Sequence, residues 1–490
     1  MLPARATGRR AYALCALLGV LALAACARTT AEHAPRPTQS AVASPLRVGT
    51  SGDYPPFSVR ASDGSLDGFD VAVARAYAAD RGRPLELVPF AWPELERRLL
   101  AGDFDVAMGG ITVRGDRLAR APMTAAVARA SAVLVVPADA PEADARVARG
   151  DGAGLRVAVN RGAHLERVAR ATLPGATLVL LDDNRSLAPV LASGEVDAVV
   201  TDTLELQSFA APGAPQPRVA RVLTYDRKAY WVAPHATELA DDLDQWLAAR
   251  EADGTLASLR ARYGVESADA PASALDPATA RVVDLVARRL LLMPEVAAAK
   301  RVASLPIDVP SREQQVYARA RDEAARVGLA AEPYVALVRE EVEVAKVVQR
   351  ATLATAAPAS AATSSGTVAG DATPAAAAGD AGADDAVARA KRRLEQELRP
   401  AIDRLDRALR AALLAAAPIR ADEAALVAAL RADAPVPGFG DEEARRLARA
   451  LKAIPAAAPP PAPSAAAAAT TELLPSSGVA ATATAPRIFS

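Results

Sequence analysis

The sequence predicts a multidomain protein in which an α/β unit of two lobes precedes an all-helical unit. Residues 46–268 alternate short apolar strands with amphipathic helices across short loops, which is typical of an α/β sheet. The strand pattern then ends, and residues 274–455 carry helical periodicity only. A chain of 490 residues is long enough for two or three domains.

The composition excludes several classes of function. Lysine and arginine number 57 and aspartate and glutamate 58, so a net charge of −1 gives no reason to expect a nucleic-acid partner. The three histidines, His33, His164 and His235, are too few and too scattered to predict a metal site. Two cysteines, one of them in the leader described next, leave no disulfide in the mature chain. No cofactor is expected.

The N-terminus has the features of a processing signal. Three arginines precede an apolar run at 11–25 that is too short to cross a bilayer comfortably. The run ends in Leu-Ala-Ala-Cys, which resembles the lipobox of bacterial lipoproteins, where the cysteine is acylated. We therefore expect a signal peptide at 1–25, lipidation of Cys26, a tether at 26–45 and a lipid anchor on the periplasmic side of the cell envelope. The alternative is a plain secretory peptide that happens to contain cysteine.

The elements of the α/β unit follow from apolar runs bounded by turns. The apolar run at 132–136 could carry the chain from one lobe to the other. Helices begin near Phe69, Trp92 and Leu165. Strands are predicted at 46–50, 85–88, 105–108, 132–136, 156–159, 177–181 and 198–200.

The helical unit begins at Asp276-Pro277, an N-cap followed by proline at the first helical position. The pattern predicts a helix from there to about residue 303, kinked at Pro294. Residues 352–384 form a low-complexity insert that cannot bury a core, and the Pro/Ala-rich tail at 456–490 is predicted to be disordered. Further helices are predicted at 313–326, 333–350 and 385–415.

Several motifs of the α/β unit resemble the type-II periplasmic solute-binding fold, and especially its enzymatic branch, the periplasmic cyclohexadienyl dehydratases. Some of these motifs are shared with amino-acid-binding proteins and indicate the fold, whereas Trp-Pro and Met-Gly-Gly-Ile-Thr favour the dehydratases. The motifs are Gly-Asp-Tyr-Pro-Pro-Phe at 52–57, Gly-Phe-Asp at 68–70, Trp-Pro at 92–93, Met-Gly-Gly-Ile-Thr at 108–112, Asn-Arg-Gly at 160–162 and Val-Thr-Asp at 200–202.

The resemblance implies prephenate or arogenate as the substrate. Loss of CO2 and hydroxide from these cyclohexadienes forms an aromatic ring, and a general acid must protonate the leaving hydroxide. Glu166 matches the family's catalytic glutamate, and that role requires a raised pKa. The alternative is that Glu166 only favours the helix N-terminus. His164 departs from the family pattern, so it either donates to the substrate or lies in an exposed turn.

Other residues of the same unit are candidates for binding the substrate. Arg117 matches the position that holds a ligand carboxylate, for which a planar guanidinium is well suited. Asp202 matches the position that holds an α-amino group, and its alternative role is a helix cap. Lys228 is a further cationic candidate. Shaping of the cleft floor is expected of Asp53, Asp70 and Trp92.

In the helical unit, two cations share a face that is otherwise apolar. Arg289 and Lys300 are eleven residues apart, about three helical turns. Cations in an apolar stripe are costly unless an anion meets them. They either bind a substrate anion or extend to the rim of the stripe.

The residues that follow resemble the all-helical chorismate mutases. Lys300, Arg312, Glu313 and Gln349 fall at the family's spacing together with Arg289, and Asp308 lies close to the site. Arg399, in Leu-Arg-Pro-Ala-Ile-Asp, matches the arginine that completes the pocket in the secreted class. Val309 and Ala345 depart from the family, which usually has an aspartate and a small hydroxyl residue at these positions.

The resemblance implies conversion of chorismate to prephenate, a pericyclic reaction that needs no cofactor. Arginines would position the two carboxylates, while Lys300 and Gln349 would donate to the ether oxygen. The sequence therefore predicts a bifunctional enzyme of aromatic amino-acid synthesis whose second step uses the product of the first. One alternative is an amino-acid-binding transport or sensing lipoprotein fused to a mutase, and another is a mutase unit that serves only as a scaffold.

Overall fold

The structure, a computed structural model, describes residues 44–209, 216–265, 275–355 and 378–456. The predicted signal peptide, Cys26 and most of the tether lie outside these residues. The same is true of residues 356–377 in the low-complexity insert and of nearly all of the predicted tail. The expectations for these segments stay predictions.

The α/β unit contains two separate main sheets, one in each lobe. In the first lobe, β1 pairs in parallel with β5 and β6, while β12 closes the edge in antiparallel fashion. The residues of β1 are almost all buried, as expected for a parallel strand covered on both faces. The strands are β1 Leu46–Thr50, β5 Leu85–Pro89, β6 Val106–Ala107 and β12 Trp231–Val232, and a small antiparallel meander consists of β2 Asp53–Tyr54, β3 Ser58–Arg60 and β4 Leu66–Asp67.

The second lobe has five strands in the order β11-β7-β10-β8-β9. The strands β8, β9 and β10 are parallel to one another, and β7 and β11 are antiparallel. The sequence did not predict β11, because polar residues interrupt its apolar ones. The strands are β7 Ala128–Val136, β8 Arg156–Asn160, β9 Thr177–Leu181, β10 Ala198–Asp202 and β11 Arg218–Lys228.

The long strands β7 and β11 join the lobes. They pair along most of their length, and at the first-lobe end the carbonyl of Lys228 accepts from the N–H of Val127 at 2.8 Å. The N–H of Ala229 donates to the carbonyl of Ile111 at the same distance. The chain thus passes between the lobes twice, in two adjacent strands that form a hinge. Residues near 111, 127 and 228 lie at this hinge, where the lobes meet.

Helices flank both sheets as the pattern predicted. The third helix, α3, begins at Gly115, where a side chain would collide with the helical unit. The helices are α1 Phe69–Asp80, α2 Leu95–Ala101, α3 Gly115–Arg120, α4 Pro141–Val147, α5 His164–Thr172, α6 Leu187–Ala192, α7 Thr237–Ala252 and α8 Thr255–Tyr263.

The helical unit starts where the sequence predicted, since the Asp276 carboxylate accepts from the N–H of Thr279 at 3.0 Å. The expected long helix is broken rather than kinked, because Pro294 has no N–H for the carbonyl four residues earlier. Within the described residues, no helix is both long and apolar enough to span a bilayer. The helices are α9 Pro277–Leu291, α10 Met293–Val302, α11 Pro310–Val327, α12 Ala331–Thr355, α13 Ala378–Arg393, a π turn at Leu394–Leu398, α14 Arg399–Ala416, α15 Glu423–Asp433 and α16 Asp441–Lys452.

The helical unit packs on the hinge through buried ion pairs. Asp284 of α9 lies 2.6 Å from Arg227 of β11 and 2.6 Å from Arg288 of its own helix, whose guanidinium also donates to the carbonyl of Met123 at 2.6 Å. A Cβ added to Gly115 would come within 2.0 Å of the Leu291 carbonyl oxygen, so the backbones of α3 and α9 are in close contact. The two units therefore meet beside the ligand cleft and not at a distance from it.

Candidate functional sites

The cleft between the lobes is lined by the ends of strands, by the turns near them and by residues of helices α3 and α5. The cavity in the closed cleft is about 20 Å³, room for one water molecule, so a ring-sized ligand requires the lobes to part. None of the described residues that line it is acidic. The lining residues are Tyr54, Trp92, Gly110, Thr112, Arg117, Asn160, Ala163, His164, Leu165, Asn184 and Lys228.

Arg117 lies in this cleft, as the carboxylate-binding role requires. Its side chain is 6% exposed, donates to the carbonyl of Thr112 at 2.8 Å and stacks over Trp231 at 5.3 Å. Burial, together with the charge of Arg114, lowers the pKa of Arg117 to about 9. No carboxylate of the described chain forms an ion pair with it, so its charge is available to an anionic ligand.

Asp202 lies behind the cleft wall and is fully engaged. Its carboxylate lies 2.9 Å from the Lys228 ammonium, accepts from the Tyr54 hydroxyl, and accepts from the N–H groups of Leu204 and Glu205 at 2.9 Å each. The expectation that Asp202 holds a ligand amino group is wrong for this geometry, because a buried cation already compensates its charge. Its other predicted role, capping the turn after β10, is the one that the N–H contacts show.

Lys228 reaches the cleft and is 2% exposed. Its ammonium lies 3.1 Å from the Tyr54 hydroxyl and 3.1 Å from Thr112 Oγ1, in addition to Asp202. Two of these groups, Tyr54 and Thr112, line the cleft themselves. These three partners occupy all three N–H donors of the ammonium, so a ligand anion would meet Lys228 by displacing the Tyr54 or the Thr112 hydroxyl at the wall.

Asp53, Asp70 and Trp92 have different places in the cleft. Trp92 lines it and donates from Nε1 to Asp53 at 3.1 Å. Asp70 lies behind the wall, where it accepts from the N–H of Gly110 at 2.6 Å and from the Tyr230 hydroxyl at 3.0 Å. Burial raises the pKa of Asp70 to about 7. These two aspartates therefore hold wall groups in place.

Glu166 does not line the cleft. Its carboxylate accepts from the N–H of Gly162 at 2.6 Å and pairs with Arg170 of the next helical turn at 2.7 Å. Partial burial acts to raise the pKa of Glu166, but these two partners outweigh it and lower that pKa below its ordinary value. The expected raised pKa is wrong, and the contacts are those of a residue that stabilises the start of α5.

His164 occupies the position in the cleft that the sequence left open. Its side chain is 15% exposed, so it is not an exposed turn residue, and Nε2 lies 2.9 Å from Asp226 Oδ2. Sequence reasoning missed Asp226, since β11 itself was not predicted. The opposite ring nitrogen, Nδ1, is buried without a hydrogen-bond partner in the described part of the chain.

Two cleft asparagines were also missed as binding groups. Asn160 is 1% exposed and both of its side-chain polar atoms lack partners among the described residues, and Asn184 Oδ1 is likewise unpartnered. Buried polar atoms are rarely left without hydrogen bonds, so these atoms mark places where a ligand or water binds. Only the position of Asn160 at the end of a strand could have indicated this from sequence.

In the helical unit, Arg289 lies in the interior and is 7% exposed. Its Nε lies 3.0 Å from the half-buried Asp406 and 3.9 Å from the buried Glu341, two carboxylates that sequence reasoning missed. Burial raises the pKa of Glu341 to about 7. The anions that meet Arg289 in this structure are side chains of the same unit, and binding of a substrate anion by Arg289 stays a prediction.

A second group of charges surrounds Lys300. The Lys300 ammonium donates to the carbonyl of Ile307 at 3.2 Å, and burial lowers its pKa, opposed by Asp308. Lys346, a residue that the sequence analysis missed, lies 2.9 Å from Glu313 and 3.6 Å from Asp308. The structure thus brings Lys300, Asp308 and Glu313 together and adds an unpredicted cation.

The remaining mutase candidates, Gln349, Arg399 and Arg312, differ in how deeply they are buried. Gln349 is 5% exposed, with Nε2 3.8 Å from the sulfur of Met293 and Oε1 unpartnered among the described residues. The side chain of Arg399 is 48% exposed and pairs weakly with Glu395 at 3.7 Å, although its charge acts on Lys300. Arg312 is exposed, whereas Arg289 is buried and Lys300 is half-buried, so their shared role at a mutase site stays a prediction.

Comparisons with known proteins divide the chain at the same place as the fold. Residues 46–266 match the bacterial extracellular solute-binding proteins, family 3, and residues 273–350 match the chorismate mutase type II family. A cyclohexadienyl dehydratase of Pseudomonas aeruginosa is 32% identical over 213 residues, which cover 43% of this chain and 79% of that protein.

Binding proteins are similar to the same segment. An L-arginine-binding protein of Pseudomonas aeruginosa is 28% identical over 194 residues, covering 39% of this chain and 70% of that protein. The crystal structure of an ancestral amino-acid-binding protein, a precursor of cyclohexadienyl dehydratase, is 28% identical with a TM-score of 0.42, covering 44% of this chain and 94% of that one.

Proposed function

We propose a bifunctional enzyme, on the premise that this chain belongs to the bacterial extracellular solute-binding proteins, family 3, and carries a chorismate mutase type II domain. In this proposal the helical domain converts chorismate to prephenate, and the cleft converts prephenate to phenylpyruvate. The matching family is described as extracellular, and lipidation of Cys26 would anchor the enzyme to the envelope on that side.

The lining of the cleft carries the proposal. It contains Arg117, Lys228 and His164 and, among the described residues, no aspartate or glutamate. An amino acid brings an ammonium group, which needs a carboxylate or several acceptors once it is buried. Prephenate brings two carboxylates and no ammonium. The lining therefore favours prephenate over arogenate, and favours a dehydratase over an amino-acid-binding transport or sensing protein.

Arg117 and Lys228 have separate tasks in the proposed reaction. The planar guanidinium of Arg117 suits a bidentate contact with one carboxylate, and its incomplete pairing makes that contact favourable. Lys228 presents its ammonium beside Thr112 and would hold the second carboxylate or the side chain that bears it. Fixing both ends of the dianion positions the C4 hydroxyl for departure.

Lys300 and Gln349 supply the groups proposed for the mutase step. The amide of Gln349 makes one long contact to sulfur, so rotation can turn its N–H toward a substrate ether oxygen at little cost. Lys300 bonds only one carbonyl among the described contacts, which leaves donor capacity for the same oxygen. Rearrangement of chorismate then requires positioning and charge stabilisation, which these groups supply without a cofactor.

A purified full-length chain supplied with chorismate tests both steps together. We expect transient prephenate followed by phenylpyruvate. Arg117→Gln should let prephenate accumulate, whereas Arg97→Gln, which changes an exposed arginine of the same lobe, should leave both steps intact. Tight binding of arginine or another amino acid without any conversion of prephenate would instead establish the binding-protein alternative.

A non-catalytic helical domain is the second candidate. Two carboxylates already compensate Arg289, and Val309 and Ala345 replace polar residues of the family. In that case the chain would convert prephenate but not chorismate. The same time course separates the two candidates, because chorismate would persist from the start.

A further inference from the structure

We propose that His164, held by Asp226, is the proton donor of the cleft. This inference rests on the proposed dehydration and assigns to the imidazole the task that the family resemblance gives to Glu166. Proton transfer runs from Nδ1 of His164 to the C4 hydroxyl of the bound cyclohexadiene.

The contacts of the His164 imidazole hold the ring in an orientation that suits a general acid. Asp226 Oδ2 lies 2.9 Å from Nε2, which fixes the ring and favours a proton on Nε2. Nδ1 is then the functional nitrogen, and it is buried in the cleft wall without a partner among the described residues. A buried ring nitrogen next to unpartnered Asn160 and cationic Lys228 faces a place where ligand polar groups are expected.

Asp226 is itself held in one orientation. It is 8% exposed, lies on the hinge strand β11, and accepts from Thr224 Oγ1 at 3.1 Å. Burial acts to raise the pKa of Asp226, but His164 and Lys228 outweigh it and lower that pKa, so the carboxylate is ionised. A fixed anion on Nε2–H stabilises the imidazolium form of the ring.

Glu166 cannot take the same role from its observed position. Its two oxygens are occupied by the N–H of Gly162 and by Arg170, and both contacts favour the ionised form. His164, two residues earlier, points into the cleft instead. The presence of His164 where the family has another residue, and the pairing of Glu166 with Arg170, thus both favour His164 as the proton donor.

The charges around His164 determine when it carries two protons. Burial has the largest effect, and the pKa of His164 lies below its ordinary value: Asp226 raises it, whereas Lys228 and Arg114 lower it further. A dianionic ligand would add negative charge beside these cations and raise that pKa, so binding of substrate promotes protonation of the acid.

The proposed step is balanced. The Nδ1 proton goes to the C4 oxygen, the carbon–oxygen bond breaks, and water leaves. The bond between the ring and its carboxylate also breaks, CO2 leaves, and the released electron pair completes the aromatic ring. His164 ends neutral, with Nε2–H still toward Asp226, and solvent restores its proton when the lobes part.

Three variants of the full-length chain test the assignment, with prephenate as the probe. His164→Gln should lower kcat for dehydration by roughly 10²- to 10⁴-fold with only a small change in prephenate affinity, and the residual rate should not vary between pH 6 and 8. In the wild type, kcat should fall as the pH rises through the pKa of the bound imidazole. His164→Ala should regain activity when imidazole is added, and Glu166→Gln should retain its rate.

The outcomes separate this inference from the proposed function. Two results would overturn the role of His164 alone in a wild type that dehydrates prephenate. In the first, kcat of His164→Gln lies within threefold of the wild-type value. In the second, Glu166→Gln binds prephenate but does not convert it. A purely structural role is indicated if glutamine, which can still bond Asp226, preserves the pH profile. A wild type that binds prephenate without converting it overturns both proposals.

Discussion

Replacing Lys228 with methionine changes the charge of the cleft while nearly preserving its volume. Lys228 is 2% exposed and lies 2.9 Å from Asp202, which is fully buried. Removing one partner of such a pair leaves an uncompensated charge, and the expected loss is about 3–5 kcal/mol in the free energy of unfolding. Lys228→Met should therefore be strongly destabilised in a urea titration.

The same substitution should also exchange the ligand preference. The uncovered Asp202 carboxylate needs a cation, and the ammonium of an amino acid supplies one in place of Lys228. Prephenate loses one charged contact, which is worth about 1.5–3 kcal/mol, or roughly 10- to 150-fold in affinity. Calorimetric titration with prephenate and with arogenate should show the first weakened and the second strengthened.

The double variant Lys228→Met with Asp202→Asn is the matched control. It removes both charges, so it should recover most of the lost stability and bind neither ligand well. The reasoning is refuted if Lys228→Met binds prephenate like the wild type, or if the double variant is no more stable than the single one.

Three further predictions concern the mutase site, the domain interface and pH. Lys300→Ala should lower the mutase rate by roughly 10²- to 10³-fold in a chorismate assay while prephenate dehydration continues, and an unchanged mutase rate would remove Lys300 from the site. Asp284→Asn leaves buried arginines at the hinge without their anion and should cost about 3–5 kcal/mol in chemical unfolding, whereas Asp183→Asn, at a solvent-accessible pair, should cost under about 1 kcal/mol; equal costs would contradict the interface. Burial raises the pKa of Asp70 to about 7, so the folded chain keeps a proton that the unfolded chain releases near pH 4. Its contribution to stability should therefore fall as the pH rises from about 4 to 7, and Asp70→Asn should flatten that slope in unfolding titrations, or else Asp70 is ionised when folded.

The sequence predicted the parts of the fold that local patterns determine. The strand at Leu46–Thr50, the helix at Phe69–Asp80 and the N-cap at Asp276 follow from apolar periodicity and from the preferences of single residues. The break at Pro294 was anticipated as a kink. The strand β11 was missed because polar residues alternate irregularly along it and its partner strand is distant in the chain.

The electrostatics of the sites depended on contacts between distant residues. Asp226 and His164 are 62 positions apart, and Arg289 and Asp406 are 117 apart, so no local pattern pairs them. The family resemblance, and not a local pattern, identified Arg117 and His164 as candidates. The contacts of Glu166 are an exception, because Gly162 and Arg170 are each four positions away, and the raised pKa was expected from the family role without weighing that local pairing.

The preference between prephenate and arogenate tests the central claim most directly, since the two substrates differ chiefly by the ammonium group. Both should be assayed with one preparation of the full-length chain, and kcat/KM compared. A cleft lined by cations, with Asp202 already paired to Lys228, predicts that prephenate is preferred by about tenfold or more. Equal or better use of arogenate would contradict the account.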